Sequence, residues 1–227
     1  MVGAWTILSF ARKGKVSMNM NMIFLYGYEF LVMFIPFIIV FGIFAHYYKV
    51  QGIKMPKAEL SLIIIFALYI IGVYHFTGSG TLYNSMMYGF NANRFMVNLI
   101  PFSREIDTLG YMLNVLLFVP LGFLVPVLWE KGRSFLYTFR VGIALSLLIE
   151  ASQLINNRSF DVDDLILNTV GGIIGFLVFM IVNKCTKSKL EMKNVTVSFL
   201  VICVLIPFAA RFFLYNEMGF ANIIYGF

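Results

Sequence analysis

Long apolar stretches dominate this chain, separated by short polar segments. A helix needs about 20 mostly apolar residues to cross the hydrocarbon core of a bilayer. Six stretches approach or exceed that length: residues 23–48, 60–76, 111–129, 135–155, 164–182 and 195–214. They predict an all-α, polytopic membrane protein with about six transmembrane helices, in which residues 23–227 form a single transmembrane domain. Residues 1–22 contain too short an apolar run to cross, so we expect an interfacial N-terminal segment there.

The polar residues within these stretches gather near one membrane face. An even number of spans places both termini at the same face, which we call side A, together with the loops after the second and fourth spans. The main exceptions are His46 and Lys49, at the opposite face. The polar residues expected at the level of side A are Glu29, His75, Asn114, Glu150, Gln153, Asp164, Asn168, Arg211 and Asn216. A charge at the bilayer centre costs about 2.5–3.5 kcal/mol and normally faces protein or water. The shared level therefore predicts one wet cavity that opens to side A.

Helical spacing brings several of these residues onto common faces. The fourth span carries a polar stripe at positions i, i+4 and i+7, formed by Ser146, Glu150 and Gln153. The fifth carries one at i, i+3 and i+7, formed by Asp161, Asp164 and Asn168. The short loop between the spans predicts an antiparallel hairpin, with Glu150 at the level of Asn168 and Gln153 at that of Asp164. Gly171 and Gly175 form a small-xxx-small pair that allows a neighbouring helix to approach closely.

Each candidate residue also has a structural interpretation. Glu150 is either a base or metal ligand, or a carboxyl that joins helices. Arg158 is either a fork for phosphate or one half of a surface ion pair. Asp161 and Asp164 suit a helix N-terminus as well as a site. His75, at a helix end, is either an interfacial packing residue or a ligand contact.

Composition narrows the function classes. The chain is 60% hydrophobic and 12% charged, too apolar for one soluble core. Its net charge of +6 lies in short loops beside the spans, which indicates contact with anionic lipid headgroups and no nucleic-acid partner. Cys185 and Cys203 have no metal-ligand spacing, and no nucleotide-binding motif is present, so zinc and ATP chemistry are not expected. The loop lysines and arginines narrowly favour the face opposite side A as cytoplasmic.

Three motifs in order resemble the VanZ-like family of bacterial membrane proteins. The first is Asn98-Leu-Ile-Pro-Phe102 with Asn114-Val-Leu-Leu-Phe-Val-Pro-Leu-Gly122, and the second is Glu150-x-x-Gln153. The third runs from Arg158 through the aspartates and Asn168 to Gly175. The resemblance covers residues 98–182. It implies a multi-pass protein of the bacterial cell membrane, a link to resistance against teicoplanin-type glycopeptides, and membrane lipids or polyprenyl-linked cell-wall precursors as partners.

Two functions remain open for the predicted cavity. In a lipid headgroup transferase or hydrolase, Arg158 would hold a phosphate and Glu150 would act as base, with Gln153 orienting either Glu150 or the substrate. Mg²⁺ or Ca²⁺ would bind the fifth-span oxygens, and metal-free acid–base chemistry is the alternative. The catalytic set is Glu150, Arg158, Asp161 and Asp164. The metal set is Asp161, Asp164 and Asn168. The substrate-binding set is His75, Asn98, Asn114, Gln153, Arg158 and Asn168. The alternative is a protein that binds or shields a lipid precursor without chemistry. A transporter is less favoured, because the ionisable residues do not line a path across the membrane.

Overall fold

The computed structural model confirms the all-α architecture. It describes residues 20–53, 55–88, 97–103, 107–156, 158–187, 192 and 195–225. Six of its helices are long and apolar enough to cross a membrane. The predicted interfacial segment lies outside the described residues up to residue 19, and its end belongs to the first helix.

The described elements follow the predicted spans closely. The long helices are α1 (Met20–Val50), α2 (Lys57–Thr77), α4 (Thr108–Leu128), α5 (Phe135–Ile155), α6 (Val162–Cys185) and α7 (Val197–Leu214). The short elements are α3 (Leu82–Tyr88), β1 (Val97–Asn98), β2 (Phe160–Asp161), α8 (Glu217–Tyr225) and a 3₁₀ turn at Glu130–Arg133. Short helices thus flank the spans at side A, where the apolar pattern alone predicts only loops.

Local signals explain where the site-bearing helices end. Gly78 follows α2 with a φ of 63°, a left-handed conformation that glycine adopts readily, and its N–H bonds back to the carbonyl of His75. Asp161 precedes α6, and its side chain accepts a hydrogen bond from the N–H of Asp163. Both ends lie at side A, where they bring backbone groups and charged side chains to the same level.

Among the described residues, helices α4 and α6 make the most extensive helix–helix contact. Glycines make this possible: a Cβ atom at Gly171 would lie 2.1 Å from the carbonyl oxygen of Val115, and one at Gly175 would lie 2.0 Å from that of Val119. The predicted small-xxx-small pair therefore does allow a close approach. The partner in that approach is α4, whereas α5 makes a less extensive contact with α6.

The remaining helices pack around α7, which contacts both α1 and α2. Aromatic rings fill this part of the core; Phe199 of α7 packs edge-on against Phe41 of α1, with centroids 5.9 Å apart. The hydroxyl group of Tyr74 in α2 donates to the carbonyl oxygen of Val204 at 2.9 Å. These contacts hold α1 and α2 against α7.

At side A a two-residue parallel ladder holds the loop before α4 against the start of α6. Val97 pairs with Phe160, and Asn98 pairs with Asp161. This pairing brings Asn98, from the first family-like motif, next to the aspartates of the third.

Candidate functional site

Glu150 is buried near the end of α5, with 2% of its surface exposed. Its Oε2 atom accepts a hydrogen bond from the backbone N–H of Asp161 at 3.1 Å. The carboxyl group therefore faces the residue before α6, whereas the hairpin prediction places Glu150 at the level of Asn168. This contact gives Glu150 a structural role in joining α5 to Asp161, whatever else it does.

The aspartates of the third motif also have defined partners. Asn114 of α4 donates to Asp164 Oδ1 at 2.5 Å, and Asn98 donates to Asp161 Oδ1 at 3.3 Å. Two amides from the substrate-binding set thus contact two carboxylates from the catalytic set. The structure brings these four residues and Glu150 together at side A.

Asp163 has a positioning role that the sequence gives little sign of. Its Oδ1 atom accepts from the N–H of Phe102 at 2.8 Å, and its Oδ2 atom accepts from the hydroxyl group of Tyr111 at 2.6 Å. Its place in the first turn of α6 by itself indicates only an acid at a helix N-terminus. The observed contacts tie the Asn98–Phe102 motif and the start of α4 to α6.

Asn168 lies deeper than the hairpin prediction places it. Its amide nitrogen donates to the hydroxyl group of Ser146 at 2.9 Å, one helical turn before Glu150. The metal set therefore has Asn168 turned toward α5, while Asp161 and Asp164 accept from asparagine amides. In the part of the chain that the structure describes, no group of three or more His, Cys, Asp or Glu residues is placed to hold a metal ion. A Mg²⁺ or Ca²⁺ site stays a prediction.

A polar cavity of about 430 Å³ opens at side A between α1, α2 and α7. Its charged and ionisable lining residues include Glu29, His75, Arg158, Arg211 and Glu217. Glu150, Asp161 and Asp164 do not line it. The prediction of one cavity shared by all side A polar residues is therefore wrong. The acids of α5 and α6 lie beside this cavity, because α2 and the loop after it lie between those acids and the cavity.

Three ionisable residues form a network in the cavity wall. Arg211 of α7 makes an ion pair with Glu29 of α1, and its Nε atom donates to the carbonyl oxygen of Ser79 at 3.0 Å. His75 Nδ1 lies 2.8 Å from Glu29 Oε2, so His75 is part of this network. The sequence places Glu29 and Arg211 at one level on separate spans, and the structure pairs them. Opposite charges on separate spans at one level are the signal for such a pair.

Arg158 lies between the cavity and the acidic cluster, which consists of Glu150, Asp161 and Asp164. Its Nη1 atom donates to the carbonyl oxygens of Gly78 at 2.7 Å and Thr77 at 3.4 Å. Burial lowers the pKa of its guanidinium group, while the negative charges of Glu150 and Asp164 act in the opposite direction. The motif arginine therefore lines the cavity within electrostatic range of both carboxylates.

Gln153 supports the same loop. Its amide nitrogen donates to the carbonyl oxygen of Thr77 at 2.7 Å. This contact turns the Gln153 amide toward the end of α2, and a role for Gln153 in orienting Glu150 or a substrate stays a prediction. Within the Glu150-x-x-Gln153 motif, Glu150 thus contacts the residue before α6, and Gln153 contacts the last residue of α2.

A family model described as VanZ/LLP1 matches residues 60–183, which is more than half of the chain. The chain belongs to the VanZ/LLP1 family. Protein VanZ of Enterococcus faecium is 32% identical to it over 121 residues, which cover 52% of this chain and 74% of that protein. No solved structure matches the chain. Six membrane-length helices and VanZ/LLP1 membership together indicate a multi-pass membrane protein.

The VanZ/LLP1 match covers only part of the candidate site. It includes His75, Glu150 and Arg158, but it excludes Glu29 on α1 and Arg211 on α7. The acidic cluster lies within the matched region. The cavity, by contrast, is formed jointly by that region and by the two flanking helices.

Proposed function

We propose that this VanZ/LLP1 protein binds the anionic headgroup of a membrane lipid, or of a lipid-linked cell-wall precursor, in the side A cavity. The bacterial cell membrane is its proposed location. The observation that carries this proposal is the cavity of about 430 Å³ with Arg158 and Arg211 in its wall. Its volume falls within the range of about 300–1,000 Å³ typical of small-molecule sites.

The charge of Arg158 favours an anionic ligand. The hydrogen bonds from its Nη1 atom reach neutral carbonyl groups, and the carboxylates of Glu150 and Asp164 offset its charge only from a distance. A planar guanidinium group matches the oxygens of a phosphate. Arg211 contributes less, because Glu29 already neutralises it. Arg158 is therefore the proposed phosphate contact.

The depth of the cavity favours a lipid over a fully soluble ligand. It lies where α2 ends, at Thr77, and where α7 approaches its last residue, Leu214. That is the level of lipid headgroups for helices that cross the bilayer. A headgroup could occupy the cavity while the rest of the lipid stays in hydrocarbon.

Replacement of Arg158 tests the proposal. Arg158→Gln should weaken binding of phosphatidylglycerol about tenfold or more, since a hydrogen bond to a charged group contributes about 1.5–3 kcal/mol. Binding is measured by titration of the purified chain, with phosphatidylcholine as the zwitterionic comparison. Arg140→Gln is the matched control, because Arg140 is an exposed residue of α5 outside the cavity.

Unchanged phosphatidylglycerol affinity in Arg158→Gln would contradict the proposal, as would equal loss in both arginine variants. The family resemblance links this expectation to teicoplanin resistance, which can be measured in cells. If the chain protects a bacterium against teicoplanin, Arg158→Gln should reduce that protection at equal membrane abundance.

Headgroup transfer or hydrolysis is the second candidate function, favoured by the position of Glu150. The carboxyl group is held by the N–H of Asp161 and lies within electrostatic range of Arg158. Because Glu150 does not line the cavity, the headgroup would have to lie on the Glu150 side of Arg158 for this carboxyl group to act as its base.

Glu150→Gln separates catalysis from binding. The amide oxygen of glutamine can still accept the hydrogen bond from Asp161, so the fold and lipid binding should persist. Turnover of a radiolabelled lipid headgroup should fall by about 10² or more if Glu150 is the base. Equal turnover in wild type and variant would show that Glu150 is not the base, and headgroup binding would remain as the proposed function.

A further inference from the structure

An apolar groove of about 230 Å³ adjoins the polar cavity. It runs between α1 and α2. Its apolar lining residues are Phe30, Met33, Leu68, Ile71 and Gly72. Groove and cavity share three lining residues, Tyr26, Glu29 and His75. The two spaces therefore adjoin at these three side chains.

The groove leads away from side A into the hydrocarbon layer. At 1.5 Å per helical residue, Met33 lies about 6 Å deeper than Glu29, and Leu68 about 10 Å deeper than His75. The lining changes from polar to apolar along this direction. Such a change matches the boundary between the headgroup and the hydrocarbon chain of a lipid.

Sparse packing between α1 and α2 keeps the groove open. Helix α1 packs much more extensively against α7 than against α2. Gly72 adds no side chain, and a Cβ atom placed there would meet nothing within 4 Å. Phe30 and Leu68 are 38% and 39% exposed, so the groove borders the surface that faces lipid.

We propose that one acyl chain of an anionic phospholipid occupies this groove while its headgroup lies in the side A cavity. The lipid reaches the cavity sideways from the adjacent leaflet, between α1 and α2. This inference rests on the proposed headgroup binding and adds to it the chain-binding surface and the route. His75 marks the junction; its side chain is 30% exposed and its ring contacts Tyr26 edge-on at 5.2 Å.

Filling the groove at Gly72 tests this route. Gly72→Leu places an apolar side chain in open space, so the helix should form normally. Gly42→Leu is the matched control, because Gly42 is an exposed position of α1 outside the groove, where an added Cβ atom would likewise meet nothing within 4 Å. Two probes are titrated against the purified full chain: phosphatidylglycerol, and glycerol phosphate, which has the headgroup phosphate and no acyl chain.

We expect Gly72→Leu to weaken phosphatidylglycerol binding about tenfold, the effect of displacing roughly two buried methylene groups. Binding of glycerol phosphate should remain unchanged, and Gly42→Leu should bind both probes like wild type. Unchanged phosphatidylglycerol affinity in Gly72→Leu overturns the groove proposal, as does equal weakening of both probes.

The two proposals fail differently. If wild type binds phosphatidylglycerol, Arg158→Gln loses it and Gly72→Leu does not, headgroup binding stands and the acyl-chain groove is wrong. If wild type binds neither probe, the proposed function is wrong and the groove proposal is wrong with it.

Discussion

Arg211 illustrates how single residues hold the cavity together. It lies buried in α7, pairs with Glu29 of α1, and donates to the carbonyl oxygen of Ser79 after α2. One guanidinium group therefore ties three segments at side A. Both members of the ion pair are buried, so each depends on the other for compensation of its charge.

We expect Arg211→Met to destabilise the protein by about 3 kcal/mol or more, because it leaves the Glu29 carboxyl buried without its cation. Thermal unfolding in detergent measures the effect. The double variant Glu29→Gln with Arg211→Met should recover much of the loss, since no unpaired charge remains. Additive losses in the double variant would show that the pair is not coupled.

At the scale of elements, the α4–α6 contact positions the acidic cluster. The hydrogen bond between Asn114 and Asp164 crosses this contact, and so does the one between Tyr111 and Asp163. Their geometry depends on how closely the two helices approach. Glycine at positions 171 and 175 sets that approach, because carbonyl groups of α4 occupy the space of a Cβ atom.

Gly175→Ala should push α4 and α6 apart and lower the free energy of unfolding by about 1–3 kcal/mol, as overpacking does in cores. Gly172→Ala is a close control on the same helix, since a Cβ atom there meets nothing within 4 Å. The midpoint of thermal unfolding compares the two. A Gly172→Ala loss as large as that of Gly175→Ala would argue against close packing as the cause.

The apolar pattern predicts the spans well because the hydrocarbon core of the bilayer sets both the length and the apolar character that a spanning helix needs. It also predicts that Glu29 and Arg211 lie at the same level. What it cannot supply is the direction of each side chain around its helix axis relative to other helices. Gly171 and Gly175 show this limit: their spacing predicts a close partner, but only the packed structure identifies that partner as α4.

The same limit explains why the residues predicted to share one site lie in two separate places. Depth alone groups Glu150 with Glu29 and His75, since all lie near side A. Packing separates them, because the loop after α2 lies between the acidic cluster and the cavity and is held there by Arg158 and Gln153. The contacts of Asp163 are likewise beyond the sequence, since they depend on a loop conformation that carries no periodic pattern.

At the scale of the whole molecule, the cavity belongs to no single segment. The VanZ/LLP1 match supplies α2, α4, α5 and α6, while α1 and α7 lie outside it and complete the cavity wall. Charge is arranged accordingly: the family-matched region contributes Arg158, and the flanking helices contribute the neutralised Glu29–Arg211 pair. A ligand in the cavity would therefore contact both parts of the chain at once.

An experimental structure of the full chain, purified with its native lipids, would show whether a headgroup occupies the side A cavity. Headgroup binding predicts density for a phosphate-containing group within hydrogen-bond distance of the Arg158 guanidinium group. A well-resolved cavity that holds only water, with lipid density confined to the outer surfaces of the helices, would contradict it.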